Sequence, residues 1–396
     1  MNRKPAVTDR TILFAGGGSG GHLFPALAVA RKLLERGDCD RALFLTSTRD
    51  IDARIMSQAV SETPSIHWVP EIPFPAGSSL RRTLAIPGVM LKARLAAVRL
   101  LKEFRPALCV GIGAFASVAA SIVCARRGIP LALMEQNVVP GRATRFLSRY
   151  ADLVLTGLPI ADPESSGIRC PVATTGVPVR ASISALTDMG LTDLGPADSA
   201  LPKVASERTR SQRSLLIVGG SQGATTLNEL VSHVVTDSQV LPEGWTVTHQ
   251  TGQRDAEHFR TLYASRTSIQ AHSFVQMDEA LRTADLVISR SGAGMLAEIA
   301  CAGVASILIP HPTSSGHHQL RNAEYFRDAG AAVLIEQNSR LAWQTLAKAL
   351  HDLAHDSERR QSLGQNARKL ARPEAASRAA DALLTLITNN KKGTPS

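Results

Sequence analysis

Short apolar runs punctuate the chain, and most of the stretches between them carry helical patterns. In the first half the runs are residues 11–15, 42–46, 66–69, 108–111, 130–134, 152–156 and 172–175; in the second they are 214–218, 245–249, 268–275, 285–289, 305–310 and 331–335. Each reads as a strand, and strands alternating with helices predict parallel sheets covered on both faces, an α/β fold. In such folds ligands bind beyond the carboxyl ends of the strands. Two of those ends carry glycine-rich loops. Gly16-Gly17-Gly18-Ser19-Gly20-Gly21-His22 follows Ile12–Ala15, and Gly219-Gly220-Ser221-Gln222-Gly223-Ala224 follows Leu215–Val218. After each comes an amphipathic stretch, Pro25 to Glu35 and Thr225 to Val235. Such a loop frees backbone N–H groups at a helix N-terminus, where the dipole favours an anion. Two copies in tandem predict two similar Rossmann-like domains facing a cleft.

A chain of 396 residues is too long for one typical core. The expected organisation is an N-terminal domain over 1–183, a linker or surface insertion over 184–213, a C-terminal domain over 214–376, and a terminal helix and tail over 377–396. The linker segment is rich in Ser, Thr, Asp and Pro, with Arg208, Arg210 and Arg213 near its end. Glu374 to Ile387 reads as the terminal helix, and the tail after Ile387 as disordered. Ala107 to Ala125 carries no charge and lies between Arg105 and Arg126, close to a membrane span in length. It also parses as a strand (Leu108–Val110), a glycine turn and a helix (Ser117–Ala125), which the repeating pattern favours.

The net charge of +10 directs attention to anionic partners: nucleotide phosphates, nucleic acid or an anionic membrane face. Aromatic residues make up only 4%, with no aromatic-and-basic cluster, so nucleic acid is not expected. The five cysteines are scattered without metal-ligand spacing and read as buried reduced thiols. The N-terminal apolar run breaks at the glycine loop and makes a poor signal peptide. No GxxxxGK[ST] is present, which excludes a P-loop NTPase. Gly16, Gly18 and Gly21 match GxGxxG, and Asp50 after the second strand offers a ribose partner, so a nicotinamide or flavin enzyme stays open. Against it, a second glycine loop has no role in a simple dehydrogenase.

The chemistry-bearing residues cluster at the predicted strand ends. His22 is either a general base, kept neutral by the helix N-terminus, or a helix-capping histidine. Arg180, closing Gly176-Val177-Pro178-Val179-Arg180, suits a diphosphate or a surface ion pair. Ser289-Arg290-Ser291-Gly292-Ala293-Gly294 opens a third anion-binding helix start, and Glu298 one turn inside reaches a ribose diol or offsets the dipole. His317-His318-Gln319 with Asn322 reads as amides for sugar hydroxyls rather than a zinc site. Glu135-Gln136-Asn137 follows the strand Pro130–Met134 and reads as polar residues facing the cleft or as a capped loop. From Phe74 to Phe104, Leu80, Leu84, Ile86, Val89, Met90 and Leu91 interleave with Arg81, Arg82, Lys92, Arg94 and Arg99. Pro73, Pro75 and Pro87 are expected to break regular helix there. This stretch is an amphipathic surface helix or a docking patch for an anionic membrane.

Taken in order, several motifs resemble the MurG family of peptidoglycan glycosyltransferases over roughly residues 10–385. They are Gly-Gly-Ser-Gly-Gly-His-x-x-Pro-Ala-Leu-Ala (17–28), Glu-Gln-Asn (135–137), Pro-Val-Arg (178–180), Gly-Gly-Ser-Gln-Gly-Ala (219–224), Ser-Arg-Ser-Gly-Ala (289–293) with Glu298, and His-Gln-x-x-Asn-Ala (318–323). The resemblance implies a GT-B fold and transfer of N-acetylglucosamine from UDP-GlcNAc to the MurNAc 4-hydroxyl of lipid I, with inversion, giving lipid II. It implies no cofactor and no tightly bound metal. The implied partners are UDP-GlcNAc, lipid I (undecaprenyl-pyrophosphate-linked MurNAc-pentapeptide) and an anionic membrane surface, for a peripheral enzyme on the cytoplasmic face of the bacterial cell membrane. By the same resemblance the first domain faces acceptor and membrane, with Ser19, Gly20, Gly21, His22 and Asn137 at the reacting centre and His22 as the base. The second domain holds the donor, with Val275 at the uracil and Glu298 at the ribose. Ser221, Arg180 and the helix start Ala293, Gly294, Met295, Leu296 and Ala297 lie near nucleotide and diphosphate, and Gln319 and Asn322 at the sugar. Departures from the family pattern fall at Ala114–Ala119, Val177, Met295 and Gly316-His317. Another UDP-sugar GT-B transferase with a lipid acceptor is the alternative.

Overall fold

The apolar runs bury both faces, and as central parallel strands they satisfy their backbone groups while doing so. Thr11–Ala15, Leu131–Glu135 and Leu286–Ser289 are buried at every residue. A computed structural model describes residues 10–72, 79–160, 165–187, 212–219, 224–237 and 239–392. The chain divides into two compact units, Met1–Arg180 with Glu374–Ser396, and Ala181–Pro373.

The first unit is built on a seven-stranded parallel sheet. Its strands are β1 (Thr11–Ala15), β2 (Arg41–Ser47), β3 (Ile66–Ile72), β4 (Leu108–Gly111), β5 (Leu131–Glu135), β6 (Leu153–Thr156) and β7 (Val172–Thr174), in spatial order β3-β2-β1-β4-β5-β6-β7. The helices are α1 (Gly20–Glu35), α2 (Asp50–Glu62), α3 (Ser79–Phe104), α4 (Ala116–Ala125) and α5 (Arg142–Leu147). Side chains alternate along β1: Ile12 and Phe14 enter one core with Leu23, Leu27 and Met56, while Leu13 and Ala15 enter the other with Ala97, Leu100 and Ala120.

The second unit holds a six-stranded parallel sheet. It comprises β8 (Arg213–Val218), β9 (Trp245–Gln250), β10 (Ile269–His272), β11 (Leu286–Ser289), β12 (Ala305–Leu308) and β13 (Val333–Leu334), in the order β10-β9-β8-β11-β12-β13. Its helices are α6 (Ala181–Ser184), α7 (Thr225–Val235), α8 (Ala256–Tyr263), α9 (Met277–Thr283), α10 (Ala293–Ala302), α11 (His318–Asp328), α12 (Ala342–His355) and α13 (Ser357–Lys369). In both sheets the chain starts centrally and reverses its direction of growth, between β1 and β4 and between β8 and β11. Those switch points are where open α/β sheets bind ligands, and the first glycine loop and Gly219, at the end of β8, lie there.

Several expectations need correction. The strand expected over 268–275 ends at His272, because Ser273–Gln276 leave the sheet before α9. Helix α3 runs through Pro87. A proline inside a helix costs roughly 3 kcal/mol, but burial of Val89, Ala93, Ala97 and Leu100 against the sheet offsets it. The last helix, α14 (Ala375–Lys392), extends past Ile387, so 388–392 are helical rather than a disordered tail. It packs on the first unit through Ala379, Ala380, Leu383 and Ile387, and Arg36 pairs with Asp381 at 2.7 Å. Residues 188–211 of the expected linker, and the end of the tail at 393–396, lie outside the described residues. The uncharged stretch 107–125 is strand β4, a turn and helix α4. Among the described residues no helix is long and apolar enough to cross a membrane.

Candidate active site

Beyond β1 the chain passes through Gly16, Gly17 and Gly18 at φ 140°, 147° and 89°, a region that excludes most side chains. A Cβ on Gly16 would stand 2.7 Å from the Gly113 carbonyl oxygen, so this loop presses on the turn between β4 and α4. Ser19 takes the N-cap position of α1 with extended backbone, yet its hydroxyl does not cap the helix. It bonds instead to His22 Nδ1 at 3.0 Å. The half-buried ring is thereby fixed with its other edge on Gly113, where a Cβ would meet Nε2 at 3.0 Å. Gly20 and Gly21 are the first two residues of the helix. Phe24, on the same helix, is 42% exposed, and the Arg180 guanidinium stacks over its ring at 5.6 Å. Arg180 therefore joins the neighbourhood of the α1 start.

Asn137 is drawn in by Glu135 rather than by open space. The buried Glu135 carboxylate accepts from Asn137 N (3.1 Å) and Nδ2 (3.0 Å), from Gly141 N (2.8 Å) and from Thr144 Oγ1 (2.7 Å). It ties the loop after β5 to α5, and its lone pairs are committed to that tie. Asp50, weighed as a ribose partner, is exposed. The carboxylate that turns toward the first glycine loop is Asp52, two residues on.

In the second unit the turn after β11 is cross-linked to its neighbours. Arg290, 7% exposed, donates Nη1 to the Ile309 and Pro310 carbonyls at 3.0 and 3.2 Å and Nη2 to Thr226 Oγ1 at 3.4 Å. Burial lowers its pKa to about 10. Ser291 Oγ donates to the Gln319 carbonyl at 2.7 Å, and Asn322 Nδ2 donates to the Ser291 carbonyl at 3.1 Å. Gln319 Oε1 accepts from His311 N at 2.9 Å. Asn322 is fully buried, so it braces the turn. Helix α10 then starts at its N-cap Gly292 with no acidic residue in the first turn. A Cβ on Gly292 or Gly294 would meet nothing within 4 Å, leaving the positive end of the helix open to an anion. Of the implied contact stretch, Ala293 and Leu296 are buried in the core, while Met295, Ala297 and Glu298 are half-buried.

Val275 is half-buried in the loop after β10, beside Phe274, which is 66% exposed. Ser221 falls outside the described residues with the rest of its turn. Among the described residues no cluster of three or more His, Cys, Asp or Glu side chains could hold a metal ion, and His317 and His318 form none. Glu135 follows the capped-loop reading of its strand end, whereas the framework roles of Arg290 and Asp52 go beyond what their motifs suggest. For Asp52 a signal existed: it shares the helical period of buried Ile55, Met56 and Ala59.

Two Rossmann-like parallel-sheet units, the first with a glycine loop beyond β1 and the second with an open helix N-terminus beyond β11, define a GT-B-class protein. Residues 12–156 match the glycosyltransferase family 28 N-terminal domain, and residues 214–381 match the family 28 C-terminal domain. A relative from Coxiella burnetii (strain Dugway 5J108-111) is 33% identical over 93% of this chain and 96% of its own. One from Xylella fastidiosa (strain Temecula1 / ATCC 700964) is 34% identical over 96% of this chain and 98% of its own. Both are called UDP-N-acetylglucosamine--N-acetylmuramyl-(pentapeptide) pyrophosphoryl-undecaprenol N-acetylglucosamine transferase. Crystalline MurG from Acinetobacter baumannii superposes with a TM-score of 0.71 at 28% identity, over 95% of this chain and 99% of that one. The chain belongs to the MurG family of glycosyltransferases.

Proposed function

We propose that the chain transfers N-acetylglucosamine from UDP-GlcNAc to the 4-hydroxyl of the N-acetylmuramyl unit of lipid I, with inversion, forming lipid II for peptidoglycan. The observation that carries this reading is identity of 33–34% along nearly the whole chain to transferases bearing that name. The site geometry agrees with it. His22 Nε2 accepts the acceptor hydroxyl proton as that oxygen attacks the anomeric carbon and the bond to UDP breaks. For Nε2 to accept, Nδ1 carries the ring hydrogen and donates it to Ser19 Oγ, the contact at 3.0 Å. In the second unit, the open N-terminus of α10 offers its dipole to the donor diphosphate, with Val275 at the uracil, Glu298 at the ribose and Ser221 near the nucleotide. Gln319, with its carbonyl and side chain already engaged, shapes the sugar side, and Asn322 braces it from below. Arg180 adds positive charge for the departing diphosphate. The enzyme works at an anionic membrane, on the cytoplasmic face, docked peripherally through α3.

His22→Ala tests the assignment. Loss of general-base catalysis lowers kcat by roughly 10²–10⁴-fold, while donor KM stays nearly constant, since a base scarcely touches the ground-state donor. The assay is transfer of labelled GlcNAc from UDP-GlcNAc to a lipid I analogue, read as a β-linked disaccharide. Retention of most of kcat, or loss of donor affinity in step with activity, removes His22 from the role.

A further inference from the structure

The first glycine loop already holds an anion, and that anion belongs to the protein. Asp52, the third residue of α2, is fully buried, and both of its carboxylate oxygens lie 2.8 Å from the Gly18 amide nitrogen. Ser47 Oγ donates to Oδ2 at 2.5 Å. The same oxygen stands 2.5 Å from where a Cβ of Gly17 would be, so position 17 has no room for a side chain. From the other side, Arg49 donates Nη1 to the Gly18 carbonyl at 2.6 Å. Gly18 is thus gripped at its N–H and its C=O, one residue before the serine whose hydroxyl orients His22. An empty glycine loop offers its N–H groups to a phosphate. Here a carboxylate takes the Gly18 N–H, and its charge repels a second anion in a site screened little by water.

We propose that Asp52 is the resident anion of this loop: with Arg49 it positions Ser19 and His22, and it keeps phosphate groups out of the first glycine loop. This gives the two outwardly similar loops different tasks, the first a rigid mount for a base. Asp52 and Arg49 are positioning residues that act through Ser19 and His22. The kinetic part of the inference rests on the reading of His22 as the base; the anion part does not.

Two measurements test it on the full chain. Asp52→Asn keeps the side-chain size and removes the charge. Misplacing a catalytic group by about an ångström costs on the order of 100-fold, so kcat should fall roughly 10- to 100-fold with donor KM nearly unchanged. Arg49→Met, at a half-buried position, should move kcat in the same direction with the same KM pattern, and it serves should Asp52→Asn fail to fold by circular dichroism. Independently of transfer, the Gly18 amide resonance should not move when inorganic phosphate is titrated to millimolar levels into the parent protein, and should move in Asp52→Asn. Parent-like kcat in both variants, a donor KM that rises in step with the loss, or a Gly18 amide that answers phosphate in the parent would each overturn the proposal. A parent protein inactive with UDP-GlcNAc and a lipid I analogue would fell the transfer reading, and the amide titration would still decide whether Asp52 fills the loop.

Discussion

Ala114 adopts a backbone conformation that favours glycine, with φ at 59° in the turn after β4. A left-handed residue with a Cβ costs roughly 1–2 kcal/mol. The turn persists because the Ala114 carbonyl accepts from Ser117 Oγ at 2.9 Å and from Ser117 N at 3.3 Å. Its neighbour Gly113 must also stay bare to admit the His22 ring. Ala114→Gly relieves the strain but gives the unfolded chain more freedom, an opposing effect of roughly 0.4–1 kcal/mol. The expected outcome is a net gain of about 0.5–1 kcal/mol in stability, measured by urea unfolding at equilibrium. A destabilised variant would show that the Cβ makes packing contacts worth more than the strain it causes.

At the level of elements, α3 presents two unlike faces. Val89, Ala93, Ala96, Ala97 and Leu100 are buried, while Leu91 and Leu95 are 55% and 59% exposed beside exposed Lys92 and Arg94. Apolar side chains interspersed with cations suit an anionic headgroup layer. Each basic residue near such a surface contributes about 1 kcal/mol, so Lys92→Gln with Arg94→Gln should lower partitioning onto phosphatidylglycerol vesicles roughly 30-fold. Equal co-sedimentation of variant and parent would leave α3 as ordinary surface. The strands of both sheets were legible in the sequence because central parallel strands need apolar side chains on both faces, which shows as unbroken runs. The path of α3 through Pro87 was not legible, since it depends on packing against a sheet assembled from distant segments. Nor was the return of α14 to the first unit, because amphipathicity shows that a helix packs but not against what. The site divides the same way. Ser19 and His22 stood out as a local motif, whereas Asp52 reaches Gly18 across 34 residues of chain and Arg290 reaches Thr226 across 64, pairings that only the fold creates.

Among the described residues, three of the four histidines whose pKa is lowered lie in the second unit. His249 on β9 is fully buried between Tyr263 of α8 and Asn228 of α7, and burial lowers its pKa from 6.5 to about 4. The hydrogen bonds fix its neutral form. Asn228 Nδ2 donates to the Thr251 carbonyl at 2.9 Å and to Asp255 Oδ2 at 3.1 Å, so Asn228 Oδ1 accepts from His249 Nε2–H, and His249 Nδ1 accepts the Tyr263 hydroxyl proton. His272 and His311 in the same unit are shifted downward as well, each chiefly by burial. In the first unit His67 moves the same way but sits exposed. A histidine whose folded pKa lies below its unfolded one contributes stability that is complete above the unfolded value and is lost as pH falls toward the folded value. For His249 the window runs from 6.5 down to about 4, with about 3 kcal/mol at stake. Calorimetric scans across that window should show the transition of the second unit falling faster than that of the first. His249→Gln should start less stable at neutral pH yet lose less on acidification. Asn228 also holds Asp255, which accepts from Thr225 Oγ1 at the start of α7, so UDP affinity should weaken through the same window in the parent and less steeply in the variant. Identical pH slopes for parent and variant would show that His249 is not the group that titrates.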